Sequence, residues 1–358
     1  MKVLHLPINI ASQISVTVQA LRDLGVEARG LVRNNATIQS TEAIEDFPLT
    51  ATRRQPARFV GQRMGWLKAY GEAIRWADVV HWHFGLQTLP MELDLRMLER
   101  LDKPRVVEFW GSDVRIPEVA TRDNPYFAEV YRGWPELYEG AAERSLRTQM
   151  AFGRRGFVCL APDADMRSYI HGDLFRDVRM TRARISTARF EPRYPDPGCR
   201  RPVVAHMPSK KALKGTASIV AAVEVLQRRL DFDFVLIHGV PHAEAMALLA
   251  GCDVFIDEVV SGAYGLAALE AMSLGKPTVV YLKEAMVKSY PPENPIVNAR
   301  QEDLVEVLEG LLTDGPRRHA LGRQARAYAQ ARHDALVVGR QLIELYEELA
   351  RTWHHGRA

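Results

Sequence analysis

The sequence predicts an α/β protein built from two parallel-sheet lobes. Three observations carry this. The stretch Asp253 to Val280, DVFIDEVVSGAYGLAALEAMSLGKPTVV, reads as strand, loop, helix and strand, which is a βαβ unit. Short apolar runs alternate with helix-forming stretches in both halves of the chain. Between the halves lies Arg184 to Arg201, RISTARFEPRYPDPGCRR, with three prolines and five arginines, and the alternation restarts at Val203. The 358 residues suit two domains. The expected boundaries are a first domain at 1–185, a linker at 186–202 and a second domain at 203–335, followed by a closing helix at 336–358.

Composition excludes several classes. A hydrophobic share of 47% suffices for packed cores. A net charge of +3 implies no strong nucleic-acid field. Cys159, Cys199 and Cys252 are scattered without metal-ligand spacing, which suits a reducing cytosol. No run is long and apolar enough for a membrane span. Lys2 leads directly into an apolar strand, so a cytoplasmic protein without a leader is expected. No GxGxxG occurs, which disfavours a nicotinamide-binding domain.

In chain order, Lys2 to Leu6 is a strand, followed by a polar loop and a helix that ends at Gly25. Val26 to Val32 is the next strand. Asn9, Ser12 and Gln13 follow the first strand and are expected at the sheet's C-terminal edge, with Ser12 able to cap the helix. Arg53, Arg54, Arg58, Arg63 and Lys68 cluster with Phe59, Met64, Trp66, Leu67 and Tyr70. The segment 53–70 reads as a basic-faced helix, either simply solvated or able to touch anionic lipid.

Asp78 to Gly85, DVVHWHFG, holds a buried strand on which His81 and His83 share one face. Such an HxH could open a metal site with His206, His238 and Asp257, the metallohydrolase alternative. Arg105 to Arg115, RVVEFWGSDVR, is a strand ending in a tight turn at Gly111, Ser112 and Asp113, with Arg115 able to pair with Asp113 or a phosphate. Asn124 to Met150 reads as helical, broken at Pro135. Phe157 to Leu160 is a strand.

In the second half, Val203 to His206 is a strand. The loop Pro208 to Thr216 leads into a helix that runs to about Leu230. Phe232 to Gly239 is a strand and Ala243 to Ala250 a helix. In the βαβ unit, Gly265 leaves room for an anion at the first N–H groups of the helix, and Glu270 lies about one turn in. Helices are expected at 302–313, 316–332 and 336–351.

The wording YGLAALEAMSLGKPTVV resembles the donor signature of retaining GT-B glycosyltransferases of the family 4 type (glycosyl transferases group 1). The resemblance implies two Rossmann-like lobes facing a central cleft, with the closing helix returning to the first lobe. It implies transfer of a sugar from a nucleoside-diphosphate sugar to a polysaccharide, lipid-linked or small-molecule acceptor, with retention and without a metal or cofactor. Donor-binding residues would be Ser209, Lys210, Lys214, Gly239, Gly262, Tyr264, Gly265, Leu266 and Glu270. Acceptor-side residues would be Asn9, Ser12, His83, Gly111, Ser112 and Arg115.

The chain departs from the family at two points. Gly262 stands where the family's first Glu would, and Ser209 where its Arg would. Asp257 and Glu258 are the substitutes for the first Glu, and together with Asp113 they are the catalytic candidates. No protein nucleophile is expected. A diphosphate leaving group needs positive partners, which Lys210, Lys211 and Lys214 can supply. The departures also allow a second class of function, a nucleotide-sugar-binding or partner subunit without turnover. Peripheral contact at the inner face of the membrane is a further expectation, and no nucleic-acid partner is expected.

Overall fold

The computed structural model describes residues 1–35 and 40–353. Residues 354–358, the end of the expected closing helix, lie outside the described residues. The chain divides into two compact units. The first comprises Met1–Ile116, Gly140–Arg184 and Ala335–Ala358; the second comprises Pro117–Glu139 and Ile185–Asp334. This division differs from the expected one, because 117–139 belongs to the second unit and the stretch 186–202 is part of that unit rather than a free linker.

The first unit is a seven-stranded parallel sheet. Its strands are β1 (Lys2–Pro7), β2 (Glu27–Arg33), β3 (Ile44–Phe47), β4 (Val79–His83), β5 (Arg105–Glu108), β6 (Val158–Ala161) and β7 (Asp177–Met180), in the order β3-β2-β1-β4-β5-β6-β7. β3 and β7 were not expected from the sequence. Each has two charged residues among its four and no fully buried one, as sheet-edge strands do. The central strands are fully buried, with Val79-Val80, Val106-Val107 and β6 as apolar runs and His81, His83, Arg105 and Glu108 as buried polar residues among them. The helix Gln13–Asp23 packs Ile14, Val18 and Leu21 against Val338, Leu342, Leu345 and Leu349 of the closing helix Ala335–Thr352.

The second unit is a five-stranded parallel sheet. It contains β8 (Val203–His206), β9 (Asp233–Leu236), β10 (Val254–Ile256), β11 (Thr278–Val280) and β12 (Val297–Asn298), in the order β12-β11-β10-β8-β9. The chain leaves β8 to one side and returns through β10 on the other, so the switch point lies between β8 and β10. Loops at the C-terminal ends of such strands are where α/β sheets bind ligands. Here they are 207–215, which holds the short helix Lys211–Lys214, and 257–265, which leads into the helix Leu266–Ser273. Gly275 ends that helix at φ +76°, which suits glycine.

Candidate functional site

The two loops beside the β8/β10 switch point converge on one lysine. Lys214 Nζ lies 2.6 Å from Asp257 Oδ1 and 2.6 Å from Glu258 Oε2. Burial opposes the lysine's charge, but the two carboxylates outweigh it and raise the pKa. The other Asp257 oxygen accepts the Gly265 N–H at 3.2 Å. Asp257 thus occupies both the cation and the helix-terminal N–H that an anionic ligand would use. A Cβ on Gly265 would sit 3.7 Å from Asp257 Oδ2 and 3.7 Å from Lys214 Nζ, so the position stays open.

Glu270 lies further along the same helix and is paired with His242 Nε2 at 3.1 Å. The hydrogen bond to Glu270 raises the His242 pKa against partial burial. Gly239, three residues before His242, has φ +73° and open space around it, as a backbone approached by a ligand requires. Leu266 is half-buried, and Ser209 and Lys210 are exposed. Tyr264 turns its hydroxyl to His333 Nε2 at 2.9 Å and stacks on Tyr290, so its polar end is held within the unit.

Gly262 has a geometric explanation. Its φ is +85°, and a Cβ there would lie 3.2 Å from Asn124 Nδ2 and 3.2 Å from Lys283 Cβ. Asn124 caps the helix Pro125–Gly133 through Phe127 N and donates to Val260 O at 2.7 Å. Lys283 N donates to Gly262 O at 3.0 Å, and Lys283 Nζ reaches Asp123 at 3.2 Å. A glutamate here would be both strained and crowded. Asn124 and Lys283 were missed as neighbours of the candidate site. Only the Asn-Pro pair gave a signal, as a helix start.

The first unit places its expected residues differently. His83 is fully buried, not at an open edge, and joins His5, His81 and Glu108 under the sheet. His5 Nδ1 and His83 Nε2 are 2.9 Å apart, and His81 Nδ1 meets Tyr346 Oη at 2.6 Å. Arg184 grips Glu108 with two bonds of 2.8 and 2.7 Å and donates to Thr17 Oγ1 at 2.5 Å. Burial alone would raise the Glu108 pKa, but Arg184 and His81 bring it down to about 2. Burial first, then the neighbouring cationic groups, lowers the pKa values of His5 and His83; for His81 burial outweighs Glu108. Gln13 is also buried here, its amide donating to Arg184 O at 2.9 Å.

The residues of the metallohydrolase alternative divide between the units, with His81 and His83 in the first and His206, His238 and Asp257 in the second. His206 is bonded to Ile256 O and Thr216 Oγ1, His238 to Pro208 O, and Asp257 to Lys214, all within the second unit. Nitrogens of His5, His81 and His83 do lie within 4.8 Å of one another. A divalent cation among them would stand beside the buried Arg184, with Glu108 already neutralised, and burying such uncompensated charge is costly.

Asp113 accepts backbone N–H groups of Gly85, Trp110 and Gly111 at 3.0, 3.1 and 2.8 Å and so fixes its own turn. Burial raises its pKa against those donors. Arg115 pairs with Asp165 at 3.1 Å, not with Asp113. Gly111 is buried with φ +146°, and Ser112 is exposed. Ser12 does not cap the following helix. Its hydroxyl accepts Ser40 N, while Asn9 Oδ1 takes Ser15 N at 3.1 Å.

The histidine cluster gives a pH prediction. Its folded pKa values lie below the ordinary 6.5, so the unfolded chain takes up protons first. Stability present above that pH should fall on acidification, by up to about 1.4 kcal/mol per pH unit for each imidazole. The Glu108 contribution is lost later, as pH drops from 4.5 through about 2. Urea midpoints across mildly acidic pH check this; a flat profile contradicts it.

The family model described as Glycosyl transferases group 1 matches residues 223–328. None of the curated proteins searched matches the chain. Solved structures similar along nearly the whole chain include sucrose-phosphate synthase from Thermosynechococcus elongatus (14% identity, TM-score 0.64, covering 98% of this chain and 100% of that one). WaaG, a glycosyltransferase involved in lipopolysaccharide biosynthesis, is similar at 14% identity and TM-score 0.57, over 97% of this chain and 99% of that one. Anabaena Alr3699/HepE in complex with UDP-glucose is similar at 14% identity and TM-score 0.58, over 98% and 100%. Residues 223–328 therefore carry the glycosyl transferases group 1 match, within a chain whose fold is that of GT-B glycosyltransferases.

Proposed function

We propose that the protein transfers a sugar from a nucleoside-diphosphate sugar to an acceptor, with retention of configuration. One observation carries the reading: Lys214, the Gly265 N–H and Glu270 come from the two loops at the β8/β10 switch point and the helix that follows. Lys214 and the helix terminus would hold the diphosphate as its charge develops. Glu270 would accept the ribose hydroxyls, with Gly239 beside the base. The HepE complexes with UDP and UDP-glucose support UDP as the nucleotide. The acceptor would be a polysaccharide, a lipid-linked molecule or a small molecule, and the reaction would need no metal or cofactor. The reading puts the protein in the cytoplasm, with any membrane contact peripheral, since no helix of the described residues is long and apolar enough to cross a membrane.

The second reading is a nucleotide-sugar-binding subunit without turnover. Gly262 and the capture of Lys214 by two carboxylates favour it. Incubation with UDP-glucose separates the two. Slow release of UDP that is lost in Glu270→Ala is expected of the transferase. Tight UDP binding with no release from any UDP-sugar tested would leave the binding subunit.

A further inference from the structure

From Pro48 to Gly71 the sequence contains no Asp or Glu, yet it holds Arg53, Arg54, Arg58, Arg63 and Lys68. The structure folds most of this stretch into the helix Pro56–Trp76. Its inner face is spent on Trp66, Tyr70, Ala73 and Ile74, all buried. At 3.6 residues per turn, Ala57, Val60, Gly61, Met64 and Lys68 share the opposite face, with Arg58 at its border. Val60 is 57% exposed and Met64 is 59% exposed. Arg53, Arg54, Arg58 and Lys68 are exposed as well.

The helix therefore has two apolar faces, one packed and one open. Cations flank the open face, and the nearest acid in sequence is Glu72, one turn beyond Lys68. Trp66 Nε1 donates to Thr88 Oγ1 at 3.1 Å and Tyr70 Oη to Asp94 O at 2.6 Å, which anchors the inner face of the helix. A solvated helix face needs no large apolar side chains, and a face meant for nucleic acid would offer exposed aromatic rings or base-reading amides. Apolar side chains bordered by an excess of cations fit the headgroup region of an anionic bilayer, where the former enter the acyl boundary and the latter meet lipid phosphates.

We propose that the outer face of the helix Pro56–Trp76 docks the protein on an anionic lipid bilayer. The inference uses only the first unit and stands whether or not the donor-site reading holds. The test is co-sedimentation of the full chain with phosphatidylcholine vesicles, with and without phosphatidylglycerol, at low and high salt. Each basic residue near such a surface contributes roughly fivefold to binding. Binding should require phosphatidylglycerol and weaken at high salt. It should fall roughly 100-fold in Arg54→Ser/Arg58→Ser/Lys68→Ser, and it should also fall in Val60→Ser/Met64→Ser.

All five substitutions are on the surface, and unchanged circular dichroism and urea midpoint identify folded variants. Equal binding to both vesicle types, or none, overturns the proposal. Binding that soluble polyphosphate or a short RNA abolishes, and that Val60→Ser/Met64→Ser leaves unchanged, also overturns it and assigns the patch to a soluble anion.

Discussion

Arg184→Ala should destabilise the first unit by about 3–5 kcal/mol, the usual cost of stranding one partner of a buried ion pair. Arg184 and Glu108 are both fully buried, and the guanidinium also holds Thr17, while the Arg184 backbone is bonded to Gln13. Removing it leaves Glu108 ionised among neutral imidazoles, or forces it to take up a proton. Urea unfolding at neutral pH checks this. The paired change Arg184→Met/Glu108→Met should cost less than Arg184→Ala, because no charge is then stranded. If Arg184→Ala costs under about 1 kcal/mol, the pair is not what holds this core.

Lys214→Ala and Glu270→Ala should each weaken UDP binding by about 1.5–3 kcal/mol, or roughly 10- to 150-fold, as expected for a lost charge-assisted hydrogen bond. Asp257→Asn should act in the opposite direction. It keeps an acceptor near Gly265 but removes a charge that competes with phosphate for Lys214. Isothermal titration of the three variants reads both signs. A loss of affinity in Asp257→Asn would mean that Asp257 meets the donor directly, as a substitute for the family's first Glu would.

The sheet architecture was legible where burial on both faces writes itself as apolar runs. Val203–His206 has the expected bounds, and Gly25 marks the end of the first helix. β3, β7 and β12 were not legible, since edge strands carry mixed residues and are defined by their neighbours. Periodicity placed His81 and His83 on one face but could not say which side of the sheet that face met. The closing helix, with Tyr346, and Arg184 from far along the chain turn it into a core.

The resemblance singled out Lys214, Gly265 and Glu270, which sit on local features, a strand-end loop and a helix terminus. The pairing of His242 with Glu270, and the Asn124 and Lys283 contacts that require Gly262, are set by chain segments distant in sequence and were missed. Arg115, for which Asp113 or a phosphate is the expected partner, pairs with Asp165. Asp113 is nearer in sequence, but backbone donors consume it first.

The central claim is that the loops after β8 and β10 form a nucleotide-diphosphate site. The most direct measurement is calorimetric titration of the intact protein with UDP, GDP and ADP, each with and without EDTA. The account predicts that one nucleotide, expected to be UDP, binds with the same affinity in both conditions. No binding of any nucleotide, or binding that EDTA abolishes, would contradict it.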